Sequence, residues 1–121
     1  MIRFYQEADY AAMSRRAAHI IAAEVHKNPA CVLGLATGST PLPLYRELVR
    51  RCEAGELDFS RVRSANLDEY KGLSGDHPQS YRYFMNENLF KHINIDKERT
   101  IVPDGLTEDV EAMCKDRKSV V

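Results

Sequence analysis

Two polar segments of the sequence follow short apolar runs and carry groups suited to binding an anion and moving a proton. The first segment is Gly34-Leu-Ala-Thr-Gly-Ser-Thr-Pro41. A helix predicted to begin at its end would leave backbone N–H groups unpaired at the positive end of its dipole, where a phosphate fits. Gly38 lets the chain approach an anion closely, and Thr37, Ser39 and Thr40 add hydroxyl donors. These residues predict a phosphate site.

The same segment is also compatible with an ordinary strand-to-helix turn. Thr40 would then be the N-cap, with Pro41 at the first helical position. No Gly-Lys-Ser/Thr follows, so this is not a P-loop, and the spacing does not match the dinucleotide fingerprint.

The second segment is Asn66-Leu-Asp-Glu-Tyr70, which places two carboxylates after a predicted strand. Ligands bind at that edge of an open α/β sheet. Asp68 and Glu69 point to opposite sides if the chain is extended, so one can face a pocket while the other fixes the loop. A carboxylate there could be a general base that takes a proton from carbon beside a carbonyl. The alternative is a solvated acidic turn.

A third segment, His77-Pro-Gln-Ser-Tyr81, contains a histidine in a predicted loop. Such a histidine is more often a surface residue than a ligand or an acid. His77 before Pro78 suits a helix cap followed by a first turn. Tyr81 is available either to pack or to donate a hydrogen bond.

Hydrophobic periodicity predicts the elements that must position these residues. The predicted strands are 2–5, 30–36, 62–67 and 100–102, and the predicted helices are 8–27, 41–53, 78–93 and a short one from about 106. Alternating strands and helices indicate an α/β fold with a parallel sheet. The apolar positions expected to face the core are Met13, Ala17, Ile20, Ile21 and Val25 in the first helix, Leu44, Leu48 and Val49 in the second, and Tyr81, Phe84, Met85, Leu89 and Phe90 in the third.

Composition sets the class of protein. The chain has 121 residues, 44% of them hydrophobic and 29% charged, with a net charge of -1. No basic excess favours nucleic acid or an anionic membrane as a partner. Three cysteines without metal-ligand spacing predict free thiols. With no signal-peptide pattern and no apolar run of ~20 residues, we expect a cytoplasmic protein.

The last six residues, 116–121, match no pattern in the rest of the sequence. They are similar to the conceptual translation of a sequencing-adapter read, which predicts a non-native tail after a 1–115 domain. The alternative is a frayed, genuine terminus.

Taken together, three segments resemble the bacterial glucosamine-6-phosphate deaminases. They are Leu33-Gly-Leu-Ala-Thr-Gly-Ser-Thr-Pro41, Asn66-Leu-Asp-Glu-Tyr-Lys-Gly-Leu73 and His77-Pro-Gln-Ser-Tyr-Arg-Tyr-Phe-Met-Asn86. The first is shared with related sugar-phosphate proteins, whereas the order and spacing of the other two are specific to the deaminases.

This resemblance implies a Rossmann-like α/β fold, here truncated, and an enzyme of amino sugar catabolism. It implies that glucosamine 6-phosphate and water give fructose 6-phosphate and ammonia, with Asp68 as the base that moves a proton between C2 and C1. The substrate-binding residues would be Thr37, Gly38, Ser39, Thr40, Glu69 and Tyr81. No cofactor or metal is expected, and the intact parent could be a homo-oligomer.

The sequence departs from the family in its length. Family members continue into a second half with a Gly-Asp-Gly-His type segment, and no histidine of this chain matches it. We therefore expect this chain alone to lack deaminase activity, although its parent would have it.

Three other interpretations remain open. A 6-phosphogluconolactonase shares the fold and the phosphate turn, but Tyr70 and the 77–81 segment disfavour it. A non-catalytic sugar-phosphate sensor is disfavoured by Asp68 and by the absence of a helix-turn-helix before residue 30. A chain this short could also fail to fold stably.

Overall fold

The computed structural model describes residues 1–120, with side chains through Lys118. In chain order the main elements are α1 (Tyr10–Lys27), β1 (Val32–Leu35), α2 (Leu42–Glu53), β2 (Arg63–Asn66), α3 (Tyr81–Asn88), β3 (Thr100–Ile101) and α4 (Val110–Val120). Two single 3-10 turns, Phe90–His92 and Lys97–Arg99, lie between α3 and β3. The predicted alternation of strands and helices is confirmed.

The three strands form one parallel sheet in the order β1-β2-β3. Leu35 of β1 pairs with Asn66 of β2, so the two strands end at the same level. Thr100 of β3 pairs with Ser64. All three strands therefore deliver their following loops to one edge of the sheet, where the candidate segments lie.

The core forms where α1 and α2 pack together and where α2 approaches α3. Its largest fully buried side chains are Tyr45, Phe59, Phe90, Leu48 and Met85. The predicted inward faces of the second and third helices are confirmed at Leu48, Met85, Leu89 and Phe90, while Leu44, Val49 and Phe84 pack partly buried against the core.

The inward face of α1 is confirmed at Val25, which is buried, and at Ile21, which packs partly buried against the core, but differs from the prediction by one position elsewhere. Ser14, Ala18, Ala22 and Val25 are buried, whereas Met13 and Ile20 are each 45% exposed. Small side chains let a helix approach its neighbour closely, so ranking positions by hydrophobicity chose the larger neighbours of the true contact residues.

The predicted strand over residues 2–5 is wrong. These residues form no regular structure, and Ile2 and Phe4 are 95% and 86% exposed. Their alternation of apolar and polar residues needs a neighbouring strand to become a ladder, and none of the described strands pairs with them.

Two predicted helix starts are also wrong. Pro41, not Thr40, occupies the N-cap of α2, and no side chain caps that helix. Ser80, not His77, caps α3, because its hydroxyl accepts the Tyr83 N–H at 3.2 Å. His77 instead closes a local turn by accepting the Gln79 N–H at 3.0 Å.

The last helix is longer than the sequence predicts. α4 continues to Val120 and so includes most of the 116–121 tail, and Arg117 donates to the Asn66 carbonyl at the end of β2. The origin of that tail stays a prediction. None of the described helices combines the length and apolar character needed to cross a bilayer.

Candidate functional site

The loops after β1 and β2 lie side by side because the two strands pair in parallel and end together. The Asn66 side chain ties these ends, since its Nδ2 donates to the Leu35 carbonyl at 3.0 Å. The turn formed by residues 37–40 therefore lies next to the Asp68-Glu69 pair.

The 37–40 turn presents donors that no other described residue uses. Gly38 has a φ of +93°, a left-handed conformation that L residues rarely adopt. Within the described chain, the N–H groups of Gly38, Ser39 and Thr40 donate to no acceptor. The hydroxyls of Ser39 and Thr40 also lack a hydrogen-bond partner there, and both residues are exposed. Several unpaired donors thus lie at the start of α2, the arrangement that binds an anion.

Two tyrosines hold this turn from different helices. Tyr45 of α2 is 1% exposed, and its hydroxyl bonds both the carbonyl and, at 3.0 Å, the N–H of Ala36. Burial raises the pKa of Tyr45 to about 12, so it stays a neutral donor. Tyr10 of α1 donates to the Ser39 and Thr40 carbonyls. Neither role can be predicted from the sequence, because no local signal connects a helical tyrosine with a distant loop.

The two neighbouring carboxylates have different environments. Asp68 is exposed, and its carboxylate accepts no hydrogen bond and forms no ion pair with any side chain through Lys118. Glu69 is half-buried, and its two oxygens accept from the N–H groups of Tyr81 at 2.8 Å and Arg82 at 3.0 Å and from the Ser80 hydroxyl at 2.8 Å. Glu69 therefore fixes the loop to the N-terminus of α3 and leaves Asp68 to face solvent.

The pKa of Glu69 reflects this anchoring. Burial by itself would raise the pKa, but the backbone N–H groups of Arg82 and Tyr81, helped by the Ser80 hydroxyl, outweigh it and lower the pKa below the ordinary value of 4.5. The carboxylate is thus ionised at neutral pH and complements the α3 dipole. The Ser80 cap could have been found from sequence, since a serine directly before a helical run is an N-cap signal.

Tyr81, the first residue of α3, interacts with residues of both loops. Its hydroxyl donates to the Tyr70 hydroxyl at 3.3 Å, and the two ring centroids are 4.8 Å apart. That hydrogen bond is the main cause that raises the pKa of Tyr81, and the negative charge of Asp68 acts in the same direction. The Thr37 side chain acts in the opposite direction and lowers the pKa of Tyr81. Tyr81 therefore marks the point where Thr37 and Asp68 converge.

A third loop, after β3, supports the acidic segment from behind. The Gly72 N–H donates to the Gly105 carbonyl at 2.7 Å. A Cβ atom at Gly105 would lie 2.3 Å from the Tyr70 carbonyl oxygen, so only glycine allows this approach. Arg82 connects α3 to β3 through Thr100, with contacts of 2.7 and 2.9 Å. Sequence reasoning missed Gly105 and Arg82 because their partners are distant in the chain.

Cavities and metal ligands do not add a second site. Two cavities of about 200 and 240 Å³ lie on the β3 side of Glu69, and neither is lined by Asp68 or by the 37–40 turn. Among the described side chains, no group of His, Cys, Asp or Glu could hold a metal ion. The three cysteines are free, as predicted, with Cys31 buried and Cys114 exposed.

Comparison with known proteins identifies the family. Residues 6–121 match the model of a family described as glucosamine-6-phosphate isomerases/6-phosphogluconolactonase. The chain belongs to this family. The predicted resemblance is therefore confirmed at the level of the family.

Relatives within the family favour the deaminases. A glucosamine-6-phosphate deaminase of Clostridium perfringens is 59% identical over 113 residues, which cover 93% of this chain and 47% of that protein. The solved structure of a monomeric glucosamine-6-phosphate deaminase superposes with a TM-score of 0.92 at 39% identity, covering 99% of this chain and 50% of that one. The 6-phosphogluconolactonase of Thermotoga maritima has a TM-score of 0.73 at 18% identity, covering 99% of this chain and 52% of its own. The last likeness concerns the fold alone.

The chain spans about half the length of the relatives that it matches. About half of each of these relatives has no counterpart among the 121 residues compared. What the whole protein does is accordingly a matter for proposal.

Proposed function

We propose that this chain is the substrate-phosphate and general-base half of a glucosamine-6-phosphate deaminase. The observation that carries the proposal is the convergence at Tyr81, whose hydroxyl interacts with Thr37 on one loop and with the charge of Asp68 on the other. An anion-binding turn and an unengaged carboxylate then face one crevice, as a single hexose phosphate requires.

In this proposal the 37–40 turn binds the phosphate. Three unpaired backbone N–H groups and the hydroxyls of Ser39 and Thr40 supply the donors. The Thr37 hydroxyl, already near Tyr81, extends the same polar surface towards the sugar. A phosphate fixed there sets where the other end of the substrate lies, and this lowers the entropic cost of reaction.

Asp68 is the proposed base that transfers a proton from C2 to C1 of the ring-opened sugar. Its carboxylate is exposed and uncommitted, which suits a group that must reach a substrate proton. This transfer converts the amino aldose into an imine at C2, and addition of water to that imine followed by loss of ammonia gives the ketose, fructose 6-phosphate. Tyr81 lies beside Asp68, where it could donate a hydrogen bond to a substrate hydroxyl.

Glu69 acts on the substrate indirectly in this proposal. Both of its oxygens are occupied by the start of α3, so it orients the segment that carries Asp68. A direct contact between Glu69 and substrate stays a prediction.

The second candidate function is 6-phosphogluconolactone hydrolysis. The same family contains these enzymes, and the solved lactonases share the fold. The identity of 59% to a deaminase, against 18% for the lactonase structure, favours the deaminase.

A chimera tests the proposal directly. Residues 1–115 are joined to the second half of the Clostridium perfringens deaminase, and ammonia release from glucosamine 6-phosphate is measured. We expect turnover, and we expect Asp68→Asn to lower kcat about 10²- to 10⁴-fold, the usual contribution of a general base. The 121-residue chain in the same assay should release no ammonia.

Asp76→Asn is the matched control, because this exposed carboxylate lies in the following loop and, like that of Asp68, forms no ion pair or hydrogen bond with the described side chains. It should leave turnover unchanged. Lactone hydrolysis without ammonia release would instead favour the second candidate, and full activity of the Asp68→Asn chimera would refute the assigned base.

Two further properties belong to this proposal. We place the intact protein in the cytoplasm, since its proposed substrate is a phosphorylated metabolite. We also propose a sugar phosphate as its partner, with self-association left to size measurements on the intact protein.

A further inference from the structure

Tyr10 makes a contact that the core of the protein does not need. It is the first residue of α1, and its ring is 48% exposed. Its hydroxyl donates to the Thr40 carbonyl oxygen at 2.5 Å and lies 3.2 Å from the Ser39 carbonyl oxygen. The only polar group of this half-exposed side chain therefore hydrogen-bonds the 37–40 turn.

The base from which Tyr10 reaches the turn is fixed. Asp9 is the N-cap of α1, and its side chain accepts the Ala12 N–H at 2.7 Å. The Asp9 carbonyl accepts the Met13 N–H at 3.0 Å, so the first turn of this 18-residue helix is closed. Tyr10 thus extends from a rigid element towards a loop.

The geometry of the peptide unit gives this contact a consequence for the donors. A carbonyl and the N–H that follows it point in opposite directions across a trans peptide. The Ser39 carbonyl accepts both the Tyr10 hydroxyl and, at 3.2 Å, the Leu42 N–H, so the Thr40 N–H must point away from α1. The Thr40 carbonyl, which precedes the N–H-free Pro41, is held to the same side. Both carbonyl dipoles, which would repel an anion, are turned away from the open face of the turn.

We propose that Tyr10 is a positioning residue of the 37–40 turn: its hydroxyl holds the Ser39 and Thr40 carbonyls so that the Thr40 N–H faces a bound phosphate and both carbonyls face away from it. This inference rests on the proposed function, because it names how the phosphate site of that function is kept in shape. Tyr10 itself need not touch the ligand.

The test compares Tyr10→Phe with Tyr5→Phe in the ¹⁵N-labelled 121-residue chain. Tyr5 is the matched control, because its ring contacts the Arg16 guanidinium, 5.1 Å from the centroid, while its hydroxyl bonds no described residue. Amide spectra are recorded during titration with inorganic phosphate. We expect Tyr10→Phe to displace the Ser39 and Thr40 amide signals and to weaken phosphate binding about five- to tenfold, the effect of one hydrogen bond. Tyr5→Phe should change neither.

Each other outcome is decisive. Unchanged amide signals and unchanged phosphate affinity in Tyr10→Phe would overturn the proposal, as would a wild-type chain without dispersed amide signals. Weaker binding with undisturbed turn amides and lower thermal stability would reduce Tyr10 to a structural residue. Displaced turn amides in a chain whose wild type binds no phosphate would refute the proposed function while supporting Tyr10 as the residue that holds the turn.

Discussion

Replacing Glu69 by Gln should destabilise the chain, whereas replacing its neighbour Asp68 by Asn should not. The two substitutions remove the same charge from adjacent positions. The Glu69 carboxylate accepts four hydrogen bonds of 2.8 to 3.0 Å, and the Asp68 carboxylate accepts none from the described residues. The difference between the two variants therefore isolates the anchoring of α3.

The magnitude follows from what a glutamine amide can still do. Its oxygen keeps the bonds from Tyr70 and Tyr81, and the Ser80 hydroxyl can rotate to accept from the new NH₂ group. The Arg82 N–H then has no acceptor, and the α3 dipole loses its countercharge. A hydrogen bond to a charged group contributes about 1.5 to 3 kcal/mol and the dipole about 0.5, so we expect a loss of about 2 to 3.5 kcal/mol.

The assay is urea unfolding followed by circular dichroism, with thermal melts in parallel. A loss of this size lowers the Tm by about 10 °C in a domain of this length, while Asp68→Asn should stay within about 0.5 kcal/mol of wild type. Because the folded pKa of Glu69 is lowered, its stabilisation is complete above pH 4.5 and declines as the pH falls through the folded pKa. The gap between the two variants should therefore close in acid. Equal losses in both variants, or a gap that is independent of pH, would refute the reasoning.

Three other substitutions have defined outcomes. Gly105→Ala places a Cβ 2.3 Å from the Tyr70 carbonyl oxygen, so the free energy of unfolding in urea should fall by about 2 kcal/mol. Gly34→Ala is the control, because its Cβ meets open space and should not destabilise the chain. Equal stability of the two variants would contradict the close approach at Gly105. Tyr45→Phe should lose about 1 to 3 kcal/mol because the buried end of β1 loses its hydroxyl partner, and an unchanged midpoint would argue against that bond. The pKa of Glu47 is lowered to about 2, chiefly by hydrogen bonding to an arginine. Its carboxylate should therefore stabilise the chain by about 1 kcal/mol above pH 4.5 and lose that effect towards pH 2. A Glu47→Gln variant whose stability falls with pH as the wild type's does would contradict this prediction.

The strand and helix order could be predicted because each element carries its own periodicity. The run from Ala30 to Ala36 is apolar enough to be a buried strand whatever surrounds it, and β1 forms within it. The residues at 2–5 have no such autonomy, since a strand at that position requires a partner. The exposure of Met13 and Ile20 has the same origin, because only the neighbouring helix decides which face of α1 turns inward.

The candidate site could be predicted in its loops but not in its supports. Asp68 and Gly38 belong to short segments whose residue types are enough to predict a general base and an anion-binding turn. Tyr10 and Gly105 act on residues about thirty positions away, and no local pattern records such a contact. The candidate reactive groups are therefore easier to predict from sequence than the groups that hold them in place.

Because Asp68 and Glu69 have different roles, the number of residues in the 66–70 segment is more critical than their types. The two side chains differ by one methylene, yet Asp68 is exposed to solvent and Glu69 accepts hydrogen bonds from the start of α3. Deleting Leu67 would move Glu69 into the solvent-facing position and Tyr70 into the position that binds the start of α3, and inserting one residue there would move Asp68 into that second position. The side chains around this loop can be varied, but the number of residues in it is fixed.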